Sequence, residues 1–280
     1  MQYLTPHSIS EAVALLQEAP GRMILGGTDL MVAVRDGRAR PERVVDLGRI
    51  PQLSEMETDD GALRIGAAVK VTDVIENALV KEKYPALVDA GRLLGGWQIQ
   101  NMATLAGNIC NASPAAEMAG PLLVLDARVE IHGPGGRSSM PLDRFWKGPG
   151  RTVLAPAEIV TAITIPTGVD GRSSAYQRVH IRHSVDIALA CCAARLEFDG
   201  QRVRLARIAL GALAPTPIRV PEAESSLQGT ALSEEALDRA EQFAMAATRP
   251  ITDVRASAEY RKAMAGVLVR RVIQLAAQRR

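Results

Sequence analysis

The feature that most constrains this chain is a run of small and polar residues from Asn101 to Glu117. Alanine and glycine alternate there with hydroxyl and amide side chains, so the backbone can press against a ligand while its neighbours offer hydrogen bonds. Such a segment suits a flat cofactor with polar edges. It also suits a tightly packed loop between two helices, and its composition alone leaves both interpretations open.

Ser113 and Pro114 predict the start of a helix within this run, because serine is a common N-cap and proline is favoured at the first helical position. This helix would aim free backbone N–H groups at a neighbouring anion. Glu117 would lie in its first turn, and residues 122–125 would continue it as a buried face.

A second glycine-rich stretch, Leu-Gly-Gly-Thr-Asp-Leu at 25–30, favours the ligand interpretation. Residues 23–25 indicate the end of a short buried strand, and the glycine pair permits a turn that most side chains forbid. Thr28 is predicted to cap a helix that begins at Asp29. A strand, a glycine pair, a cap and a helix together form a phosphate cradle, although the dinucleotide-binding pattern Gly-x-Gly-x-x-Gly is absent.

Composition places the chain among ordinary globular proteins, because 47% of its 280 residues are apolar and its net charge is only +2. No run of about 18 apolar residues is present to span a bilayer, and the first residues lack the pattern of a secretory signal. We therefore expect a cytoplasmic protein without a membrane span. The arginines are scattered among acidic residues, which argues against a nucleic-acid interface.

The three cysteines, Cys110, Cys191 and Cys192, have the spacing of neither a zinc site nor an iron–sulfur cluster. Metal chemistry would therefore have to come from another chain. The apolar strand pattern over 187–194 predicts that at least one of its two cysteines is a buried, inert thiol.

Two histidines and two tryptophans are of types that often have functional roles. His180 and His183 flank Arg182, but no carboxylate or thiol partner is near in sequence, so exposed histidines at a strand end are favoured over a general base. Trp97 and Trp146 are interpreted as core or interface anchors rather than residues that stack on a cofactor.

Along the chain, capping signals and hydrophobic periodicity predict alternating helices and strands. Ser8 and Glu11 form a capping box for the first helix, and Thr72 is expected to cap a helix that reaches Val80. Further helices are predicted at 29–35, 85–94, 221–228, 233–248 and 257–277, and strands at 44–47, 63–69, 128–132, 159–165, 174–182, 187–198 and 203–213.

Proline, glycine and charge cluster at 166–171, where we place the main domain boundary. The first domain would cover residues 1–170, with subdomains of about 1–55 and 56–170. Strands followed by helices predict a separate α+β domain over residues 171–280.

These motifs together resemble a known family. Three stretches carry the resemblance: Leu-Gly-Gly-Thr-Asp-Leu at 25–30, Thr-Leu-Ala-Gly-Asn-Ile-Cys-Asn-Ala-Ser-Pro-Ala-Ala-Glu at 104–117, and Asp253-Val254-Arg255 before Tyr260-Arg261. All three are similar to motifs of the FAD-binding medium subunit of molybdenum hydroxylases. This group includes xanthine dehydrogenase and aerobic carbon monoxide dehydrogenase. The resemblance covers nearly the whole chain and implies a two-part FAD domain of the vanillyl-alcohol-oxidase type, followed by a small α+β domain.

The resemblance also implies a set of cofactor-binding residues. The backbone from Gly26 to Asp29 would hold the FAD pyrophosphate, and Glu117 would lie near the ribose or ribityl hydroxyls. Arg178 takes the place of a family lysine near the pyrimidine edge of the flavin, where a cation stabilises the reduced form. The full set is Leu25, Gly26, Gly27, Thr28, Asp29, Leu30, Leu94 against the adenine, Thr104, Ala106, Gly107, Asn108, Asn111, Ser113, Glu117, Ile159 or Val160 against the ring system, and Arg178.

The chain departs from the family pattern at three positions. Ala106 replaces the first glycine of a Gly-Gly pair, Gln100 replaces a common arginine, and Glu117 replaces a common aspartate. Alanine keeps the backbone N–H but does not readily adopt positive φ.

The resemblance implies an electron-transfer flavoprotein. A molybdenum-cofactor large subunit would oxidise the substrate, a [2Fe-2S] small subunit would relay electrons, and FAD here would pass them to NAD, a quinone or dioxygen. Two alternatives remain open, namely a stand-alone FAD-dependent oxidoreductase of the same fold and an assembly subunit whose flavin site has decayed.

Overall fold

The N-terminal part is a small parallel sheet connected by helices. In this computed structural model, which describes residues 1–182 and 184–280, Ser8 caps the first helix as predicted, because its hydroxyl accepts from the N–H of Glu11. The side chain of Glu11 accepts from the N–H of His7, one residue before the position that a capping box requires. The elements are β1 (Gln2–Leu4), α1 (Ile9–Glu18), β2 (Arg22–Ile24), α2 (Leu30–Arg35) and β3 (Arg43–Asp46). The sheet order is β1-β3-β2, which makes β2 an edge strand. The prediction of a buried strand is therefore only partly right, since Ile24 is buried and Met23 exposed.

The middle part is a five-stranded antiparallel sheet covered by short helices. Its elements are β4 (Met56–Asp59), β5 (Ala62–Gly66), α3 (Val71–Glu76), α4 (Ala78–Lys83), α5 (Pro85–Leu93), α6 (Trp97–Gln100), α7 (Leu105–Cys110), α8 (Ala119–Val124), β6 (Arg128–Gly133), β7 (Gly136–Pro141), the small pair β8 (Trp146–Gly148) and β9 (Arg151–Thr152), and β10 (Ile159–Ile165). The sheet order is β4-β5-β10-β6-β7, so the predicted strand at 159–165 is confirmed as the central one.

The C-terminal part follows the predicted order of strands and then helices. Its elements are β11 (Ser174–Val179), β12 (Ala190–Asp199), β13 (Arg202–Gly211), β14 (Ile218–Arg219), α9 (Pro221–Leu227), α10 (Glu234–Ala247) and α11 (Ala258–Gln278). The strands form one antiparallel sheet in the order β11-β12-β13-β14, and Gly200 at φ +53° turns the β12–β13 hairpin as expected. The fold class is α+β.

Two predicted helix caps, Thr28 and Thr72, are wrong. Thr28 lies in a turn before α2, whose first helical hydrogen bond runs from the N–H of Met31 to the carbonyl of Gly27 at 2.9 Å. Thr72 lies inside α3. The helix predicted to reach Val80 breaks at Asn77, because the Asn77 side chain accepts from the N–H of Val80 and caps α4 instead.

The predicted helix at Ser113 and Pro114 is also wrong. The hydroxyl of Ser113 accepts from the N–H of Ala115 at 3.2 Å and closes a local turn, a common alternative to helix capping for serine. The helix begins only at Ala119, so Glu117 precedes it rather than lying in its first turn.

The C-terminal sheet supports the middle part directly. Helix α8 packs on β12 and β13, and the N–H of Ala212 donates to the carbonyl of Pro114 at 2.6 Å. Behind this contact Asp126, at the end of α8, accepts hydrogen bonds from three arginines of the C-terminal sheet, Arg195, Arg207 and Arg219. The segment 112–118 is thereby fixed from both sides.

Among the described residues no helix is long and apolar enough to cross a membrane. The cytoplasmic location and the domain limits at 55 and 170 stay predictions.

Candidate flavin site

The two glycine-bearing stretches meet backbone to backbone. After β2 the chain turns at Gly26 and Gly27, the latter at φ +69°. A Cβ atom added to Gly26 would lie 1.9 Å from the carbonyl oxygen of Met102 and 3.1 Å from the Cα atom of Ala103. Only glycine allows this approach, so the 25–30 turn, which we call the glycine loop, lies directly against the chain that leads into α7.

The glycine loop presents a row of unused donors. No hydrogen bond within the described part of the chain uses the N–H groups from Gly26 to Leu30, and the first N–H that is bonded there belongs to Met31. Consecutive free N–H groups at a turn that leads into a helix form a concave site for an anion. Thr28, Asp29 and Leu30 would therefore contribute to the site through their backbone N–H groups, and not through a helix cap.

The second stretch begins with a capped helix. Thr104 is buried, and its hydroxyl accepts from the N–H of Gly107 at 3.0 Å to cap α7. Ala106 lies in the first turn of α7 outside the left-handed region and is buried. Because the position is helical, alanine in place of glycine costs no backbone strain here.

The loop after α7 is closed by its own side chains. Asn108 accepts from the N–H of Met118 at 3.2 Å, which ties α7 to the start of α8. Ala112 takes φ +50°, a conformation that few residues other than glycine adopt, and its carbonyl accepts from Gly150. Asn108 and Ser113 thus hold the loop in shape, while Asn111 is exposed at its outer surface.

Glu117 and Arg178 form a buried ion pair across the two parts of the chain. Nη1 of Arg178 donates to Oε1 of Glu117 at 2.6 Å, with the arginine side chain fully buried and that of Glu117 12% exposed. Nε and Nη2 of Arg178 are buried and have no hydrogen-bond partner among the described residues. A buried guanidinium with two unused donors is costly, unless a further acceptor is supplied.

The electrostatics of this pair extend to the glycine loop. Burial raises the pKa of Glu117, the negative charge of Asp29 adds to that rise, and Arg178 opposes it. Partial desolvation also raises the pKa of Asp29. The glycine loop and the 101–117 stretch are therefore linked electrostatically through Asp29 and Glu117.

Three other predicted site residues lie in the hydrophobic core. Leu94 is buried, and its carbonyl accepts from the side-chain amide of Gln100 at 3.0 Å. Ile159 and Val160 are buried in β10, just before a β-bulge. These three side chains are part of the hydrophobic core. The predicted contacts of Leu94 with the adenine and of Ile159 or Val160 with the flavin ring system stay predictions. Leu25 is half-buried beside Gly26.

The tryptophans, histidines and cysteines considered as alternatives supply no reactive group in the described part of the chain. Trp146 is buried and donates to the carbonyl of Ile109 at 3.0 Å, as expected of a core residue, whereas Trp97 is 61% exposed. His180 follows β11, and His183 lies outside the described residues. Both Cys191 and Cys192 are buried, and burial raises the pKa of Cys191 to about 12, which makes it an inert thiol.

Sequence reasoning missed the residues that support the site from behind. Met102 and Ala103 contribute only backbone, so no side-chain pattern marks them. Tyr176 and Ala212 come from the C-terminal sheet; Tyr176 lies beside Gly120 of α8, and Ala212 binds Pro114. A Cβ atom added to Gly120 would be in ordinary contact with Ala193 at 3.4 Å and with Tyr176 at 3.8 Å, so the glycine does not mark these residues in the sequence.

Comparison with known proteins gives the class that this fold and site define. Residues 1–168 match the FAD binding domain in molybdopterin dehydrogenase, and residues 174–276 match the CO dehydrogenase flavoprotein C-terminal domain. The chain is 32% identical to the carbon monoxide dehydrogenase medium chain of Hydrogenophaga pseudoflava over 98% of its own length and 96% of that protein's.

Two further relatives agree. The chain is 33% identical to the putative xanthine dehydrogenase FAD-binding subunit XdhB of Escherichia coli (strain K12), over 95% of this chain and 92% of that protein. Its structure superposes on reconstituted CO dehydrogenase from Oligotropha carboxidovorans with a TM-score of 0.95 and 34% identity, covering 100% and 98% of the two chains. The chain belongs to the family of FAD-binding medium subunits of molybdenum hydroxylases.

FAD, the cofactor of this family, fits the residues present. The glycine loop offers free N–H groups for a pyrophosphate, and the closeness of Gly26 to Met102 leaves no room there for a side chain. The two unused donors of Arg178 lack an acceptor that the cofactor would provide. The chain is accordingly an oxidoreductase subunit whose cofactor is FAD.

Proposed function

We propose that this chain holds one FAD between the glycine loop and the 101–117 stretch and uses it to carry electrons between partner subunits and a final acceptor. The observation that carries the proposal is the row of unbonded N–H groups from Gly26 to Leu30, set against the backbone of Met102. Backbone donors of this kind bind phosphate oxygens without needing a cation.

The pyrophosphate would be held by the backbone from Gly26 to Asp29, with the first turn of α7 on its other side. Thr104 supports that turn through its bond to Gly107. These groups orient the cofactor, and FAD when bound supplies the redox chemistry.

Arg178 would carry the electrostatic part of the function. It is a fixed, permanently charged group, buried and anchored by Glu117. A cation at the pyrimidine edge favours the reduced, negatively charged flavin, so Arg178 would raise the tendency of the bound cofactor to accept electrons.

The partners follow from the family. Electrons would come from the [2Fe-2S] small subunit, which receives them from the molybdenum-cofactor large subunit, and would leave to NAD, a quinone or dioxygen. A cluster of exposed apolar side chains lies beside the site and supports a partner surface. Val185 donates its N–H to the carbonyl of Gly95 at 3.2 Å, and Trp97, Ile181 and Val185 are all more than half exposed.

The alternatives are weaker. Ala106 was the feature that favoured a decayed flavin site, and its helical conformation removes that objection. A stand-alone flavoenzyme needs substrate-binding polar groups beside the flavin, and the loops described here use theirs to close on themselves.

Co-expression with its genomic neighbours tests the proposal. We expect a stable complex that contains molybdenum, iron and FAD, in which substrate bleaches the flavin absorbance. Turnover of a small substrate by the isolated chain, with no metal-containing partner recovered, would instead establish the stand-alone enzyme.

A further inference from the structure

Glu117 lies among charged groups of both signs. The charged or titratable groups that face it are Arg178 and Tyr176 on β11, Cys191 on β12 and Asp29 of the glycine loop. Burial raises the pKa values of Tyr176 and Cys191, so both are neutral at physiological pH. Among the described groups, Glu117 is therefore acted on by one cation, Arg178, and by one further carboxylate, Asp29.

Glu117 is the carboxylate of the two that is held firmly. Its bond to Nη1 of Arg178 is 2.6 Å long and its side chain is nearly buried, whereas Asp29 lies at the exposed turn. Low solvent exposure weakens screening, so any further negative charge that enters the site acts strongly on this pair. Nε and Nη2 of Arg178 remain available to a second acceptor.

We propose that Glu117 takes up a proton when the FAD of this site is reduced. The positive charge of Arg178 is then no longer neutralised by Glu117 and stabilises the negatively charged, reduced cofactor. The inference rests on the proposed function, because it requires FAD beside Arg178. Two electrons from an external donor enter the flavin with one proton and leave it with one negative charge. A second proton, from solvent at the partly exposed Glu117, binds a carboxylate oxygen and keeps the net charge of the site unchanged.

The direction of the pKa of Glu117 agrees with this assignment. Burial and Asp29 already raise it, and a new negative charge at Arg178 raises it further. Arg178 itself cannot release a proton, so the carboxylate is the group that responds.

Infrared difference spectroscopy of the FAD-loaded protein, reduced directly with dithionite, tests the proposal without relying on partner subunits. The wild type should gain a carbonyl band of a protonated carboxyl group on reduction, and this band should shift in D2O. Glu117→Gln, which keeps an acceptor oxygen but cannot ionise, should lack the band. Glu224→Gln is the matched control, since Glu224 is also buried and pairs with an arginine, Arg219, at 2.6 Å.

The flavin reduction potential gives a second readout. If one more proton is taken up per two electrons, the equilibrium constant for flavin reduction changes by a further factor of ten for each pH unit. This corresponds to about 30 mV per pH unit in the reduction potential. The wild type should therefore show a slope steeper by about that amount than Glu117→Gln over the range in which Glu117 titrates.

The outcomes separate the two claims. A fully reduced wild type with no carboxyl band, or equal slopes in wild type and Glu117→Gln, overturns the role of Glu117 and leaves FAD binding intact. A folded chain that cannot be loaded with FAD overturns the proposed function and this inference together. If Glu117→Gln fails to fold, the deuterium-sensitive band of the wild type, tested with isotope-labelled glutamate, decides the matter.

Discussion

Gly26 and Met102 touch so closely that the position tolerates no side chain, since a Cβ atom would lie 1.9 Å from the Met102 carbonyl oxygen. The obstacle is backbone rather than the end of a flexible side chain, so the loops must separate to admit a methyl group. This contact sets the distance between the glycine loop and the chain that leads into α7, the two segments between which we propose that FAD binds.

Gly26→Ala should therefore lose most of its FAD while the rest of the chain stays folded. The added methyl group pushes the glycine loop away from α7 and displaces the N–H groups that would hold the pyrophosphate. The FAD-to-protein ratio measures the loss, and circular dichroism checks the fold. Gly135→Ala is the control, because a Cβ atom there meets nothing within 4 Å. A Gly26→Ala protein with normal FAD content would show that the cofactor binds elsewhere.

FAD should be bound without a covalent link, at about one molecule per chain. The groups that hold it in our proposal are backbone N–H groups and a guanidinium, which form hydrogen bonds only. Acid precipitation should leave free FAD in the supernatant and colourless protein in the pellet. Flavin that stays with the pellet would contradict the prediction.

Removal of Glu117 should destabilise the chain more than removal of Arg178. Glu117→Leu leaves a buried arginine uncompensated, and breaking a buried pair in this way costs about 3–5 kcal/mol. Arg178→Met costs less, because Glu117 can neutralise itself by binding a proton. Urea unfolding of the FAD-free proteins at neutral pH measures both. The exposed pair of Arg239 and Glu235 is the control, where Glu235→Ala should cost about 0.3–0.5 kcal/mol. Equal losses for the two buried variants would mean that Glu117 does not titrate.

Asp253 should contribute stability that disappears in acid. The N–H of Arg255, together with the Arg261 guanidinium, lowers its pKa from 3.8 to about 2. A carboxylate with a depressed folded-state pKa stabilises the native state above its unfolded pKa and loses that contribution as pH falls through the folded value. Unfolding free energy of the wild type should thus drop between pH 4 and pH 2 more steeply than that of Asp253→Asn. The two proteins should converge below this range, and parallel curves throughout would refute the assignment.

Local signals in the sequence predicted much of the fold. The helix cap at Ser8, the helix that begins at Pro85 and the strand from 159 to 165 all appear where expected. Each of these rests on hydrophobic periodicity or on residues three apart in sequence. The misplaced caps have different causes. Ser113 uses its hydroxyl to close a local turn. Thr72 lies one residue inside α3, and Thr28 lies in the turn before α2, so for these two the helix start was misplaced by one or two residues.

The site was predictable only in part. The glycine loop and the 101–117 stretch were both marked by composition, yet the contact of Gly26 with Met102 is made by backbone and leaves no pattern. The pair of Glu117 and Arg178 spans 61 residues and two parts of the fold, so no periodicity connects them. The resemblance to a family brought both residues to notice, but it assigned them to different parts of the cofactor rather than to each other.

The hydrogen bonds of Asp126 determine which parts of the chain can fold first while it is being synthesised. Asp126 leaves the ribosome well before its arginine partners, the last of which, Arg219, follows 93 residues later. The support that Ala212 gives to Pro114 arrives equally late. A nascent chain can therefore form its glycine loop early but cannot fix the opposite side of the site until most of the polypeptide has emerged. We therefore expect the opposite side of the proposed FAD site to be completed only near the end of translation or after it.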